Sequence, residues 1–139
     1  MSGGSERTVV VLSALVLAGL AGVWVGGWAV REARDVDPTA LALVLACLQN
    51  QRGLTVSSPA RDPLAAAAPR GSLTTTIEGN TVTVSLWNDA GAAEEAVGTY
   101  ARLTPEDVTQ RAIARADSAF LWAMPPTGSQ APAVYGCMP

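Results

Sequence analysis

The hydrophobic pattern of the chain opens with 22 uncharged residues, VVVLSALVLAGLAGVWVGGWAV, from Val9 to Val30. As a helix this run is about 33 Å long at roughly 1.5 Å per residue, which matches a hydrocarbon core of about 30 Å. Two tryptophans lie towards its C-terminal end, where amphipathic rings favour the membrane interface, and charged residues follow. The pattern predicts a tail over residues 1–8, a transmembrane helix over residues 9–30 and a juxtamembrane linker over residues 31–37.

A cleavable secretion signal is the alternative interpretation of this segment, with a small-residue cleavage site after Ala21. The apolar region of such a signal is about 7 to 15 residues long, whereas this run continues to Val30, so a retained anchor is favoured. Arg7 precedes the run and Arg31 and Arg34 follow it, which slightly favours a cytoplasmic C-terminus. Because that rule weakens when a long domain follows, the cysteines have to decide the orientation.

Small residues fall four apart along the predicted membrane helix, at Ala14, Ala18, Gly22 and Gly26. Residues at this spacing share one helix face, and small side chains there allow two membrane helices to approach closely. Gly and Ala are plentiful throughout the chain, so the same spacing also arises from composition alone. The stripe predicts a homodimer formed through the membrane helix.

After the linker, the pattern predicts a helix from Pro38 to about Arg52 that stops at Gly53, with Asp37 as its N-cap. Its run ALALVLACL is apolar on all sides, which predicts burial on most sides. The proline-rich residues 57–71 predict an irregular surface connection.

The segment LTTTIEGNTVTVSLW alternates apolar and hydroxyl side chains around a turn signal. We predict a β-hairpin with a two-residue loop at Gly79-Asn80, so that Ile77 faces Val82. One face of the hairpin is then apolar, and the other carries hydroxyl residues, namely Thr74, Thr76, Thr83 and Ser85.

A second helix is predicted from a cap at Asp89 to about Leu103, and a second hairpin turns near Ala116-Asp117. The buried stripe of this helix is predicted at three- and four-residue spacing, over Ala93, Ala96, Val97, Tyr100 and Leu103. The fold class is therefore α+β: a single transmembrane helix, then an α-β-β-α-β-β domain over residues 38–139 with an antiparallel sheet and helices on one face.

Cys47 and Cys137 are the only two cysteines of the chain. Lipid attachment at Cys47 would need an export signal there, although a complete membrane span already lies upstream. A reactive thiol would need a lowered pKa, whereas the apolar neighbours of Cys47 raise it. We predict instead one Cys47–Cys137 disulfide that closes the domain, which places the domain outside the cytoplasm.

Composition removes several classes of function. The net charge is −3 and the chain has no histidine and no lysine, so it offers no basic patch for a nucleic acid and lacks the usual metal ligand and proton-transfer side chain. No phosphate-binding glycine loop is present, and we predict neither a cofactor nor a metal. A hydrolase of unrecognised type would have to use a carboxylate pair such as Glu78 with Asp89.

These features favour a single-pass protein of a bacterial envelope, because 25 alanines and no lysine resemble the codon bias of a high-GC bacterial genome. Its N-terminus is then cytoplasmic, its domain lies outside, and it binds the bilayer through residues 9–30 and an unidentified membrane or envelope protein without being an enzyme. The alternative is a pilin-like subunit, which is similar in having an apolar N-terminal helix and a disulfide-closed tail. The charged stretch from Arg31 and the break at Pro38 depart from a continuous pilin helix.

The small-residue stripe makes one testable prediction. Replacing Gly22 with Ile is expected to weaken self-association of the membrane helix, because the larger side chain blocks close helix packing. A membrane two-hybrid assay measures this directly. An unchanged dimer signal for the variant would remove the stripe from consideration.

Overall fold

The structure is a computed structural model that describes residues 38–104 and 108–139. The predicted tail, transmembrane helix and linker over residues 1–37 lie outside the described residues. Among the helices that the structure does describe, none is both long enough and apolar enough to span a bilayer. Residues from Asp37 to Pro139 form one compact unit.

The first helix, α1, runs from Pro38 to Ala46 and continues as a π-helical turn over Cys47–Gln51. It ends as predicted at Gly53, whose φ of +66° favours glycine because the residue has no Cβ. The expected burial on most sides is wrong. One side of α1 faces the core, with Ala40, Val44 and Leu48 buried and Leu41 and Leu45 partly buried, while Leu43 is 64% exposed.

Five antiparallel strands form one sheet within the described residues, in the order β1-β2-β3-β5-β4. The strands are β1 (Val56–Ser57), β2 (Ser72–Ile77), β3 (Asn80–Leu86), β4 (Ala112–Arg115) and β5 (Ser118–Trp122). Four strands were expected, and the added one, β1, pairs with β2 and overlaps the predicted irregular segment only at Ser57. The second hairpin turns at Ala116-Asp117 as predicted, with Ala116 at a φ of +49°.

Four further helices are α2 (Pro63–Ala66), α3 (Ala90–Leu103), α4 (Val108–Arg111) and α5 (Gln130–Tyr135). The cap predicted for α3 is confirmed, because the Asp89 carboxylate accepts a hydrogen bond from the backbone N–H of Ala92 at 2.8 Å. Ala93, Ala96 and Tyr100 are buried as predicted. Leu103 was expected in that stripe but is 71% exposed, because α3 ends there.

The register of the first hairpin differs from the prediction by two residues. Its loop is Glu78-Gly79, with φ values of +50° and +79°, and Ile77 pairs with Asn80 instead of Val82. Both loop residues have positive φ, as a tight two-residue hairpin turn requires. Since side chains alternate with a period of two, the shift leaves the apolar and hydroxyl faces unchanged.

Helices cover both faces of the sheet, so the expectation of helices on one face is wrong. The main core lies on one face, where α1 and the C-terminal tail, residues 123–139, pack on the strands. The tail contributes Val134 and Cys137, and the strands contribute Leu73, Val82, Val84, Leu86, Phe120 and Trp122. On the other face, α3 packs through Ala93 and Ala96 on Ala119 of β5. Tyr100 and Val108 complete that side against Ala112 of β4.

Asn80, which is 1% exposed, holds the segment after β5 to the tip of the first hairpin. Its side-chain amide donates to the Met124 carbonyl and to Gln130 Oε1, both at 3.0 Å, and its Oδ1 accepts from the Met124 N–H at 3.1 Å. Buried polar groups cost free energy unless they are hydrogen-bonded, and this amide is bonded on both sides. Asn80 therefore fixes the position of the chain at Met124, near the start of the C-terminal tail.

Tyr100 joins α3 to α2 through a polar contact at the edge of the second core. Its hydroxyl donates to Asp62 Oδ1 at 2.6 Å, and the same oxygen caps α2 by accepting from the Ala65 N–H at 2.8 Å. Burial, and then the hydrogen bond and charge of Asp62, raise the pKa of Tyr100 above its ordinary value near 10. The protonated hydroxyl is therefore the form that stabilises the fold.

Replacing Tyr100 with Phe is expected to lower the free energy of unfolding by about 1–2 kcal/mol at neutral pH, because the partly buried Asp62 oxygen loses a donor. The stabilisation that requires protonated Tyr100 is fully present below about pH 10 and is lost as the pH rises towards the raised pKa. Denaturant titrations between pH 7 and 11 should show a smaller alkaline loss in Tyr100→Phe than in the unmodified chain.

Tyr135→Phe is the matched control, because the buried Tyr135 hydroxyl has no hydrogen-bond partner among the described residues. This variant should keep both the neutral stability and the alkaline loss. If the two variants have the same stability at neutral pH and the same alkaline loss, the Tyr100–Asp62 hydrogen bond does not stabilise the contact between α3 and α2.

Candidate functional site

The predicted disulfide is confirmed: Cys47 and Cys137 are bonded, with their Cα atoms 5.5 Å apart and a sequence separation of 90. Cys47 opens the π-helical turn after α1, and Cys137 follows α5. Cys137 is 7% exposed and belongs to the main core. The bond therefore joins the first and last parts of the domain across one core, and both cysteines of the chain are used.

Aromatic contacts hold the tail beside this bond. The Tyr135 ring lies edge-on to Phe120, with ring centroids 4.6 Å apart, and the Arg115 guanidinium lies over the same ring at 4.6 Å from its centroid. Edge-on aromatic pairs and cation–π contacts each add stabilisation beyond simple burial. The tail is thus attached by the disulfide, by Asn80 and by Tyr135.

The carboxylates that sequence reasoning singled out make separate structural contacts. Glu78 accepts a hydrogen bond from the Ser129 hydroxyl at 3.3 Å, and Asp89 caps α3. In the described part of the chain no three or more His, Cys, Asp or Glu side chains are grouped so that they could hold a metal ion. The contacts of Glu78 and Asp89 serve the fold.

Arg70 and Asp117 form an ion pair between the segment before β2 and the turn of the second hairpin. Arg70 also donates to the Trp87 carbonyl at 3.2 Å, while the Trp87 N–H donates to the Asp117 carbonyl at 2.7 Å. These bonds join three segments at one corner of the sheet. The arrangement satisfies both charges and orients the hairpin turn.

A groove of about 430 Å³ lies beside the β1 edge of the sheet. It is lined by residues 53–55 and Ser57 on one side and by Thr74, Thr75 and Thr76 of β2 on the other. Its volume lies within the range of about 300–1,000 Å³ that small-molecule sites occupy. We call this feature the hydroxyl groove, because five of its seven lining residues carry side-chain hydroxyls.

Strand pairing extends the hydroxyl surface beyond the groove. Ser57 pairs with Thr74, Thr74 pairs with Thr83, and Thr76 pairs with Thr81, so hydroxyl side chains continue across β1, β2 and β3. The Thr76 and Thr81 hydroxyls are 3.0 Å apart. α3 covers the β4 and β5 half of this sheet face, and Thr74, Thr76, Thr81 and Thr83 remain partly or fully exposed.

Sequence alternation predicted the hydroxyl side chains of β2 and β3 but missed those of Thr55 and Ser57, which join them only because residues 55–57 return to the sheet edge. The proposed helix-packing residues Ala14, Ala18, Gly22 and Gly26 lie outside the described residues. Comparisons with protein-family models, curated proteins and solved structures find no significant match to this chain.

Replacing Cys47 with Ser is expected to destabilise the domain by roughly 4–5 kcal/mol, because the bond closes a loop of about 90 residues in the unfolded chain. Guanidinium denaturation of the full chain in detergent measures this loss. Limited proteolysis of the folded Cys47→Ser variant should also show that its C-terminal tail is mobile.

Cys137→Ser and the double variant are the matched controls. Both should lose the same free energy as Cys47→Ser, since all three remove one bond and their effects cannot add. A double variant as stable as the unmodified chain would show that the remaining core contacts hold the tail without the disulfide.

Proposed function

We propose that this chain is a single-pass, membrane-anchored protein of the bacterial envelope. Its domain over residues 38–139 lies outside the cytoplasm and acts as a non-catalytic interaction or accessory subunit. The observation that carries the proposal is the Cys47–Cys137 disulfide, which uses both cysteines of the chain. Disulfides form and persist in oxidising compartments and are rare in the cytosol.

The uncharged run from Val9 to Val30 supports the anchor by its length, and the N-terminus is then cytoplasmic. The disulfide outweighs the weak preference of Arg31 and Arg34 for the opposite orientation, because the positive-inside rule applies poorly to long following domains. The same anchor supplies the bilayer contact and the small-residue face through which a homodimer would form.

An interaction role is favoured over catalysis because the carboxylates of the domain make structural contacts. Asp62, Asp89 and Asp117 each bind a group that holds two segments together or caps a helix. Catalytic acids and bases are normally exposed to a cleft with perturbed pKa values, and the raised pKa of Tyr100 belongs to a buried structural contact. The partner is an envelope or membrane protein rather than a nucleic acid, given the net charge of −3.

External protease tests the topology on intact spheroplasts. The domain should be digested from outside, while the short N-terminal tail stays protected until lysis. A domain that survives on spheroplasts and is cut only after lysis would show the opposite orientation.

Mass spectrometry of protein alkylated before reduction gives an independent readout from the same cells. The expected result is a single cross-linked pair of peptides containing Cys47 and Cys137. Two alkylated thiols, or a lipid on Cys47, would contradict the oxidising location from which the proposal is argued.

A further inference from the structure

We propose that the hydroxyl groove binds a neutral glycan, a chain of uncharged sugar units. This inference rests on the proposed function, because it names a partner class for a domain that lies outside the cytoplasm.

The lining matches the hydrogen-bonding character of sugars. Thr55, Ser57, Thr74 and Thr76 carry hydroxyls, and a hydroxyl both donates and accepts hydrogen bonds, as sugar hydroxyls do. The Thr76 hydroxyl lies 3.0 Å from that of Thr81, and it keeps a lone pair that can accept from a ligand. The Thr75 hydroxyl is not available, since it donates to the Thr55 carbonyl at 2.8 Å and is buried. That bond instead holds residues 53–57 at a fixed distance from β2, which gives the groove its shape.

None of the seven lining residues of the groove is charged. Arg52 precedes the groove, but its guanidinium lies beside Gly136, where an added Cβ would be 3.1 Å from Nη2. Glu78 follows β2, but its carboxylate accepts from Ser129. An anionic or cationic ligand would therefore find no opposite charge in the lining, whereas a neutral polyhydroxyl ligand requires none.

A peptide fits the groove less well than a glycan does. Peptides that bind beside a sheet usually add a strand to a free edge. Here β1 already pairs with Thr74 and Thr75, and the Ser58 hydroxyl donates to the Ser72 carbonyl at 2.8 Å. The edge of β2 is thus occupied along Ser72–Thr75, and the outer edge of β1 offers only the two residues Val56–Ser57 for pairing. Leu54 is the one large apolar side chain that lines the groove.

Titration of the full chain with a dissolved N-acetylglucosamine hexamer tests the proposal, in a polyoxyethylene detergent that contains no sugar. We expect a dissociation constant of roughly 0.1–1 mM, as suits an open site without aromatic stacking. The double variant Thr76→Val with Ser57→Ala should weaken binding about tenfold, because it removes two hydroxyls and nearly preserves the shape.

The matched control is Thr99→Val with Thr104→Val, which removes two exposed or partly exposed hydroxyls away from the groove and should bind the hexamer as the unmodified chain does. Hexamers of galacturonate and glucosamine, which are anionic and cationic, should bind at least about tenfold more weakly than the neutral one.

Three results would each overturn the proposal: no binding of the neutral hexamer at 10 mM (roughly the weakest dissociation constant worth measuring), equal binding by the groove variant, or preference for a charged hexamer or an extended peptide. Each leaves the topology unaffected, because protease accessibility and alkylation test it separately.

Discussion

The bond between Cys47 and Cys137 joins α1 to the C-terminal tail, and these two segments together cover one face of the sheet. α1 begins the domain and the tail ends it, yet both pack on the same face of the sheet. Ordering two distant segments side by side carries a large conformational entropy cost, which the disulfide reduces by restricting the unfolded chain. The rest of the main core, including Phe120 and Trp122, is shielded from water only while these two segments are in place.

The opposite face is held differently. There α3 meets the sheet mainly through alanines, which allow close approach but bury little apolar area each. Polar contacts at its margins supplement this packing: Tyr100 with Asp62 at one end, and Arg70 with Asp117 at a corner of the sheet. One face thus depends on large apolar residues and a covalent bond, and the other on small residues and hydrogen bonds.

The incomplete cover of that second face gives the molecule its candidate binding surface. α3 lies over β4 and β5, so the β2 and β3 half keeps its threonines in contact with solvent. Exposed hydroxyls need no partner in the protein, because water satisfies them until a ligand replaces it. The hydroxyl groove arises where β1 and the preceding residues bring Thr55 and Ser57 to this surface.

The features that the sequence by itself determined were local ones, apart from the disulfide, which followed from the number of cysteines. Alternation in β2 and β3 set which side chains share a face, Asp89 and Gly53 marked helix ends, and two cysteines in one chain left a single pairing. These signals survive because side-chain period, capping and turn chemistry act over a few residues. Even the two-residue error in the hairpin register preserved the two faces.

Only the tertiary structure decided which elements cover which face. Ala40–Leu48 looks apolar on every side, yet Leu43 points to solvent because the sheet offers α1 a single contact face. β1, at the start of the proline-rich connection, pairs with β2. Asn80 was expected in the hairpin loop, but it is the first residue of β3 and binds the C-terminal tail at Met124. These outcomes depend on contacts between residues far apart in the chain, which local propensity does not encode.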